Sequence, residues 1–299
     1  MPRVGILLVA AIVLAVAPSR FQVAYAGSSD ERSIPQGKPE PRKALLKWPG
    51  LTDNEEPDEP ARLDPDRPHL PEASTTVGKD RVVLESGYTF NAKGSSLRSH
   101  SYPEAVLRVG MFTDWFEFRL GQNFIDEEQK VSGAHHRENG AQDLYVGVKV
   151  ALIEQIEYLP AIALIPQMTV PTGSADVTGG RVLPGLNIDC SWEMIKDLFN
   201  IELLVGMNDV RDDVHRSHVE VATGLTGVAN VKRDLEAFVE WDAFYPAGHS
   251  TSAPRARDYA VGGLVYFLTK DFAIDIRAGV GLNTQANDFL AGAGFAVRY

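Results

Sequence analysis

From Arg81 to Tyr299 the sequence alternates in period two, and connections that are long and short in turn interrupt it. In FAIDIRAGVGL, Phe272, Ile274, Ile276, Ala278, Val280 and Leu282 fall on one face, with Ala273, Asp275, Arg277, Gly279 and Gly281 on the other. DLYVGVKVAL sets Leu144, Val146, Val148, Val150 and Leu152 against Asp143, Tyr145, Gly147 and Lys149, and WFEFRLG sets Phe116, Phe118 and Leu120 against Glu117 and Arg119. Side chains alternate across a strand, so this spacing predicts strands and not helices. Twelve candidates follow, near 82–90, 104–111, 115–122, 143–152, 160–170, 182–193, 199–208, 217–230, 234–243, 258–268, 272–282 and 289–299. Most approach the roughly nine to eleven residues that a tilted membrane strand needs.

The connections decide between architectures. Residues 91–103, 123–142, 171–181, 209–216 and 244–257 read as long. Thr113-Asp114, Ile195 to Leu198, Val231 to Arg233 and Thr269 to Asp271 read as tight, with 153–159 and 283–288 between the extremes. An antiparallel up-and-down barrel puts alternate connections at opposite ends, and outer-membrane barrels have short periplasmic turns, longer external loops and an even strand number. A soluble β-sandwich would also alternate. Three features favour the barrel: the bookkeeping of the connections, the charged faces such as Glu117 with Arg119, and the aromatics near strand ends (Trp115, Phe116, Trp241, Phe244, Tyr245, Tyr266, Phe267, Phe272, Tyr299). Tyr and Trp suit the membrane–water boundary because one end is apolar and the other polar. The expected fold is therefore all-β, an up-and-down antiparallel transmembrane barrel of about 12 strands over 77–299. Its last strand should pair with the first near Leu84 to Tyr88, leaving no free edge.

The N-terminal residues predict an export route. Arg3, the apolar run 4–17 and Ala24-Tyr25-Ala26 read as a signal peptide over 1–26. Residues 27–76 hold nine of the 18 prolines and the acidic DNEEPDEP, and read as a disordered periplasmic linker. An even strand count would leave both chain ends in the periplasm of a Gram-negative-type bacterium, with the barrel among outer-membrane lipids. A net charge of −11 argues against a nucleic-acid partner. The single cysteine, Cys190, allows no internal disulfide.

Inside such a barrel the polar faces should line the lumen. Glu85, Arg108, Glu117, Arg119, Lys149, Glu240, Asp275, Arg277 and Arg298 are the candidate lining residues, with Glu202, Glu220, Glu236 and Asp242 beside them. Acids outnumber bases eight to five in this set, which would mildly favour cations or neutral solutes. These groups would serve equally to pair across strands and hold the barrel closed. The long connection 123–142 would be free to fold inward as a plug.

Chemistry in the loops is thin. HHRENG offers His135 or His136 with Asn139, part of what a barrel lipid hydrolase needs, but no serine stands with them. Adjacent histidines on an extended loop point apart, so they rarely chelate one ion. His215, His218, Asp209, Asp212 and Asp213 lack an EF-hand spacing. No catalytic, cofactor or metal residue is assigned.

LTKDFAIDIRAGVGLNTQANDFLAGAGFAVRY, with Lys270-Asp271, Gly279-x-Gly281-Leu282-Asn283, Asp288 and a glycine-spaced last strand ending in Arg-aromatic, resembles the C-terminal end of the outer-membrane transporters of the MetA-pathway of phenol degradation family. DRPHLPEASTTVGKDRVVLESGYTF is similar to that family's opening through Asp66-Arg67-Pro68, Glu72, Thr76-Val77 and Leu84-Glu85-x-Gly87-Tyr88, and Pro171-Thr172-Gly173 also fits. Ala73-Ser74 and Val77-Gly78 depart from it, where more proline is expected. The resemblance implies an outer-membrane barrel passing small, aromatic or hydrophobic compounds. Its aromatic C-terminus, Tyr299, resembles the signal read by the barrel-assembly machinery. A passive channel is the leading expectation, with a plugged structural barrel second and a lipid hydrolase third.

Overall fold

The computed structural model describes residues 44–46, 62–131, 134–211, 217–247 and 255–299, all within the compact unit Pro41–Tyr299. The expected signal peptide, most of the Pro-rich stretch, and Asp212, Asp213 and His215 lie outside the described residues. The strands are β1 (Val82–Lys93), β2 (Leu97–Gly110), β3 (Phe116–Val131), β4 (Ala134–Ala141), β5 (Leu144–Ile153), β6 (Ala161–Val170), β7 (Leu183–Ile195), β8 (Phe199–Arg211), β9 (Ser217–Lys232), β10 (Leu235–Ala247), β11 (Arg257–Thr269), β12 (Phe272–Gly281) and β13 (Phe289–Arg298). Among the described residues there is no helix.

Twelve of these strands close into a ring. Each pairs antiparallel with its neighbours, β3 pairs directly with β5, and β13 returns to β1 from Val83 opposite Arg298 to Ala92 opposite Phe289. The closing ladder is completed by Tyr299, whose N–H donates to the Val82 carbonyl at 2.8 Å. Closure removes the unpaired backbone groups that hydrocarbon would leave without partners.

The burial pattern is that of a soluble protein turned inside out. On β12, Asp275 is 6% exposed while Ile276 beside it is 56% exposed. On β10, Glu240 is 6% exposed and Val239 is 71% exposed. Apolar residues face outward, and charge is held in the interior, as a lipid-embedded barrel requires. The alternating apolar set of the last strand, Phe289 through Val297, is its outward face.

Three expectations about connections are corrected. Residues 91–103 are not a long loop: β1 runs to Lys93 and β2 begins at Leu97, so the strand pairing continues well beyond the apolar part of each strand. Residues 123–142 do not fold inward as a plug. β3 instead extends and pairs with β4, from Phe124 opposite Ala141 to Val131 opposite Ala134, and β4 is almost wholly exposed. Here polar residues make a good hairpin outside the bilayer, where neither face needs apolar cover. The third correction is the largest: residues 62–76, read as the end of a linker, lie with Val77 inside the barrel.

One wall is irregular. Pro103 has no N–H to give to a ladder, and the β2–β3 register shifts between Tyr102 and Ala105. The β1–β2 register shifts nearby, between Glu85 and Thr89. At the shift Glu104 takes a positive φ of 44° and brings its carboxylate to Arg67 at 2.8 Å.

Candidate solute path

Segment 62–77 is too rich in proline to add to the sheet, so its backbone N–H groups need other acceptors. The barrel wall supplies side chains. Asp66 and Arg67 donate their N–H groups to the two oxygens of Glu85, each at 3.0 Å. Leu70 N–H donates to Glu240 at 3.0 Å, Glu72 N–H to Asp189 at 3.0 Å, and Val77 N–H to Glu117 at 2.9 Å. Ser74 N–H donates to the Ser191 hydroxyl at 3.2 Å. These acceptors come from β1, β3, β7 and β10, so the segment is held from several sides of the lumen.

Charge reinforces the anchoring. Arg108 lies 2.8 Å from both Glu85 and Glu117 and 3.2 Å from Asp66. Arg119 lies 2.7 Å from Asp66 and 2.8 Å from Glu72, and Lys149 lies 2.7 Å from Asp66. Burial alone would raise the Asp66 pKa, but Arg108, Lys149 and Arg119 override it and hold the carboxyl well below the usual carboxylate range. On the opposite wall Arg67 lies 3.4 Å from Asp275, and Arg277 donates to the Pro68 carbonyl at 2.5 Å and to Thr89 at 2.8 Å. His69 packs edge-on against Phe238 with centroids 5.0 Å apart, its Nδ1 3.4 Å from Glu202. Burial opposes a charged His69, yet Glu202 and Glu240 outweigh it and raise its pKa.

The glycines of the last strand now have a reason. Gly294 on β13 and Gly87 on β1 both face the Arg67 guanidinium, and a Cβ on either would collide with it. The inner wall is cut to the shape of the segment it holds.

The segment separates two cavities that share no lining residue. The cavity on the side of the longer connections, about 840 Å³, is lined by Asp66 to Leu70 with Gln122, Asn123, Tyr145, Asp242, Phe244 and Tyr259 among others. The cavity on the tight-turn side, about 820 Å³, is lined by Arg62 to Asp64 and Ala73 to Gly78 with Ser191, Trp192 and Asn200 among others.

Of the nine lining residues inferred from the sequence, Glu85, Arg108, Glu117, Arg119 and Lys149 converge on the inserted segment, and Glu240, Asp275 and Arg277 meet it from β10 and β12. Arg298 stands apart at the tight-turn end, bonded to Asp271 at 2.8 Å. The sequence reading missed the segment's own Asp66, Arg67, His69 and Glu72, because nine prolines pointed to disorder. It also missed Asp189, although Asn187, Asp189 and Ser191 alternate with Leu186, Ile188 and Cys190 in the same period two. His135 and His136 sit on exposed β4, with His135 2.8 Å from Glu128. His218 lies on β9 opposite Val210.

The fold is shared with known barrels. An outer membrane channel of Pseudomonas putida F1 is 15% identical, with a TM-score of 0.58 over 78% of this chain and 99% of that one. The NanC porin is 11% identical (TM-score 0.46, 73% and 98% covered), and the CymD monoaromatic hydrocarbon channel is 8% identical (TM-score 0.41, 74% and 89% covered). No curated protein sequence is significantly similar to this chain. The profile of one family matches residues 65–299, from the inserted segment through the closing strand. The chain belongs to that family, described as "Putative MetA-pathway of phenol degradation".

Proposed function

We propose that this protein is a passive outer-membrane channel for small apolar or aromatic compounds, with residues 62–77 as its gate. The observation that carries this is the pair of cavities stacked in one closed barrel, parted by a non-covalently held segment and the side chains that grip it. A barrel of this strand number lies between small barrels filled by side chains and large ones holding an open channel. The apolar wall of Phe244, Tyr259, Val261 and Leu290 on the loop side fits an aromatic or hydrophobic solute. The family's description and the channels of similar fold point the same way.

In this reading the tight-turn end and both chain ends face the periplasm, residues 1–26 direct export, and the outward apolar face meets outer-membrane lipid. The closing strand engages the assembly machinery through Tyr299, so its deletion should lower the amount of protein reaching the membrane. Normal membrane levels would contradict that role.

A structural barrel without transport is the second reading, favoured by the dense ion pairs around Asp66. Liposome swelling separates the two. Entry of small neutral solutes through the purified protein supports the channel, and its absence across a range of sizes and polarities supports the closed barrel.

A further inference from the structure

The loop-side cavity has two unlike walls. Arg119, Gln122, Asn123 and Tyr145 on β3 and β5 make one side polar. On the other, Phe244 and Tyr259 meet edge to face at 6.2 Å, with Val261 and Leu290 alongside. At the foot of this apolar wall stand Glu240 and Asp242, and positions 240, 242 and 244 of β10 share one face because strand side chains repeat every second residue.

The charges in the cavity are unevenly matched. Arg67, Arg119, Arg257 and Arg277 each have a carboxylate within ion-pair reach. Among the described residues neither Glu240 nor Asp242 is in an ion pair. Glu240 accepts from Leu70 N–H at 3.0 Å and Thr226 Oγ1 at 2.7 Å. Asp242 is only 7% exposed, lines the cavity, and its Oδ1 has no hydrogen-bond partner. A buried carboxyl left unpaired is costly, and a donor that arrives with positive charge relieves the cost.

We propose that Glu240, Asp242, Phe244 and Tyr259 form a subsite for a small organic ammonium ion carrying an aryl or short alkyl body. An ammonium group offers three donors and no acceptor, which suits two carboxyls that have no ion-pair partner among the described residues, Arg277 being held by Glu104 and Arg257 by Glu220. The body lies on the apolar wall of Tyr259, Val261 and Leu290, beside the Phe244 ring that Arg257 already faces at 5.3 Å. A cavity of about 840 Å³ holds a solute of this size with room for water. The subsite rests on the channel reading only in taking this cavity as the entry chamber.

The test uses three probes of one shape and different charge: 2-phenylethylammonium, 2-phenylethanol and phenylacetate. Each is titrated at neutral pH against the full chain in lipid nanodiscs, with empty nanodiscs as the blank. The ammonium should bind at least about tenfold tighter than the other two. Asp242→Asn should erase that preference. Equal or tighter binding of the alcohol or the carboxylate to the wild-type chain would overturn the subsite, and this ranking needs no variant to fold. An Asp242→Asn loss shared by all three probes would also overturn it. Liposome flux of 2-phenylethanol judges the channel reading separately. Flux without an ammonium preference removes the subsite alone, and ammonium preference without any flux upholds the subsite and removes the channel.

Discussion

Two walls of the lumen hold the same segment in different ways. The wall built by β1, β2, β3 and β5 grips it with charge: Glu85, Arg108, Glu117, Arg119 and Lys149 converge around Asp66 and Glu72. The wall built by β10 to β13 holds it with fewer ion pairs and more space: Glu240 accepts from Leu70 N–H, Arg277 donates to the Pro68 carbonyl, Arg67 reaches Asp275 at 3.4 Å, and the apolar surface of Phe244 and Tyr259 stands beside them. Buried charge pairs are stiff and costly to break singly, whereas an apolar wall beside a cavity tolerates rearrangement. The first wall is an anchor. In the proposed channel the second is the side along which the segment yields and a solute passes.

The largest effect should come from breaking the anchor. Arg108→Met leaves Glu85 and Glu117 buried without their closest cation, a loss of about 3–5 kcal/mol for such networks. The purified variant is expected to unfold at a clearly lower temperature and to show raised single-channel conductance as the segment loosens. An unchanged unfolding temperature would remove the distinction between the walls.

Gly294→Val attacks the other wall. The new side chain occupies the space of the Arg67 guanidinium, and overpacking of this kind costs about 1–3 kcal/mol. Conductance should rise with a smaller drop in thermal stability than Arg108→Met gives. If Gly294→Val is the more destabilising of the two, the roles of the walls are reversed.

A pH effect should be smaller again. The His69 pKa is raised above its ordinary 6.5 by Glu202 and Glu240 against the opposition of burial. A raised folded-state value means the contribution is full below the unfolded pKa and is lost as pH rises through the folded one. The grip on the segment should therefore weaken, and conductance increase, as pH climbs above the ordinary histidine range. His69→Gln should flatten that rise. A dependence of opposite sign would show that His69 does not help to hold the segment.

Phe244→Ala is expected to cost less than the roughly 3–5 kcal/mol of truncating a fully buried ring, because this one is only partly buried and borders a cavity. Uptake of aromatic solutes should nonetheless fall relative to small polar ones. Equal loss for both classes would argue that the apolar wall does not sort solutes.

The barrel was legible because membrane strands carry two chemistries at period two. The stretch around Ile274, Asp275, Ile276 and Arg277 states both its inward and its outward face. Closure followed from the even count and from an apolar last strand that needed a partner. The inserted segment was not legible in this way. Its order comes from Glu85, Glu117, Asp189 and Glu240, acceptors far away in sequence, and local composition carries no trace of them. Asp66-Arg67-Pro68 did appear in the family resemblance, which was the one hint that these residues are held. The hairpin of β3 and β4 was hidden for a different reason: outside the bilayer neither face must be apolar, so the alternation vanished while the pairing continued.

Whether residues 62–77 are the gate can be asked with one covalent lock. The Ser191 and Ser74 hydroxyls are 2.5 Å apart, so a Ser74→Cys, Ser191→Cys pair in a Cys190→Ala background places two thiols within bonding reach. Solute flux into liposomes is then measured with the pair oxidised and again after reduction. Flux abolished by oxidation and restored by reduction is the expected result. Equal flux in both states, with the cross-link verified, would show that solute passes without moving the segment and would contradict its role as the gate.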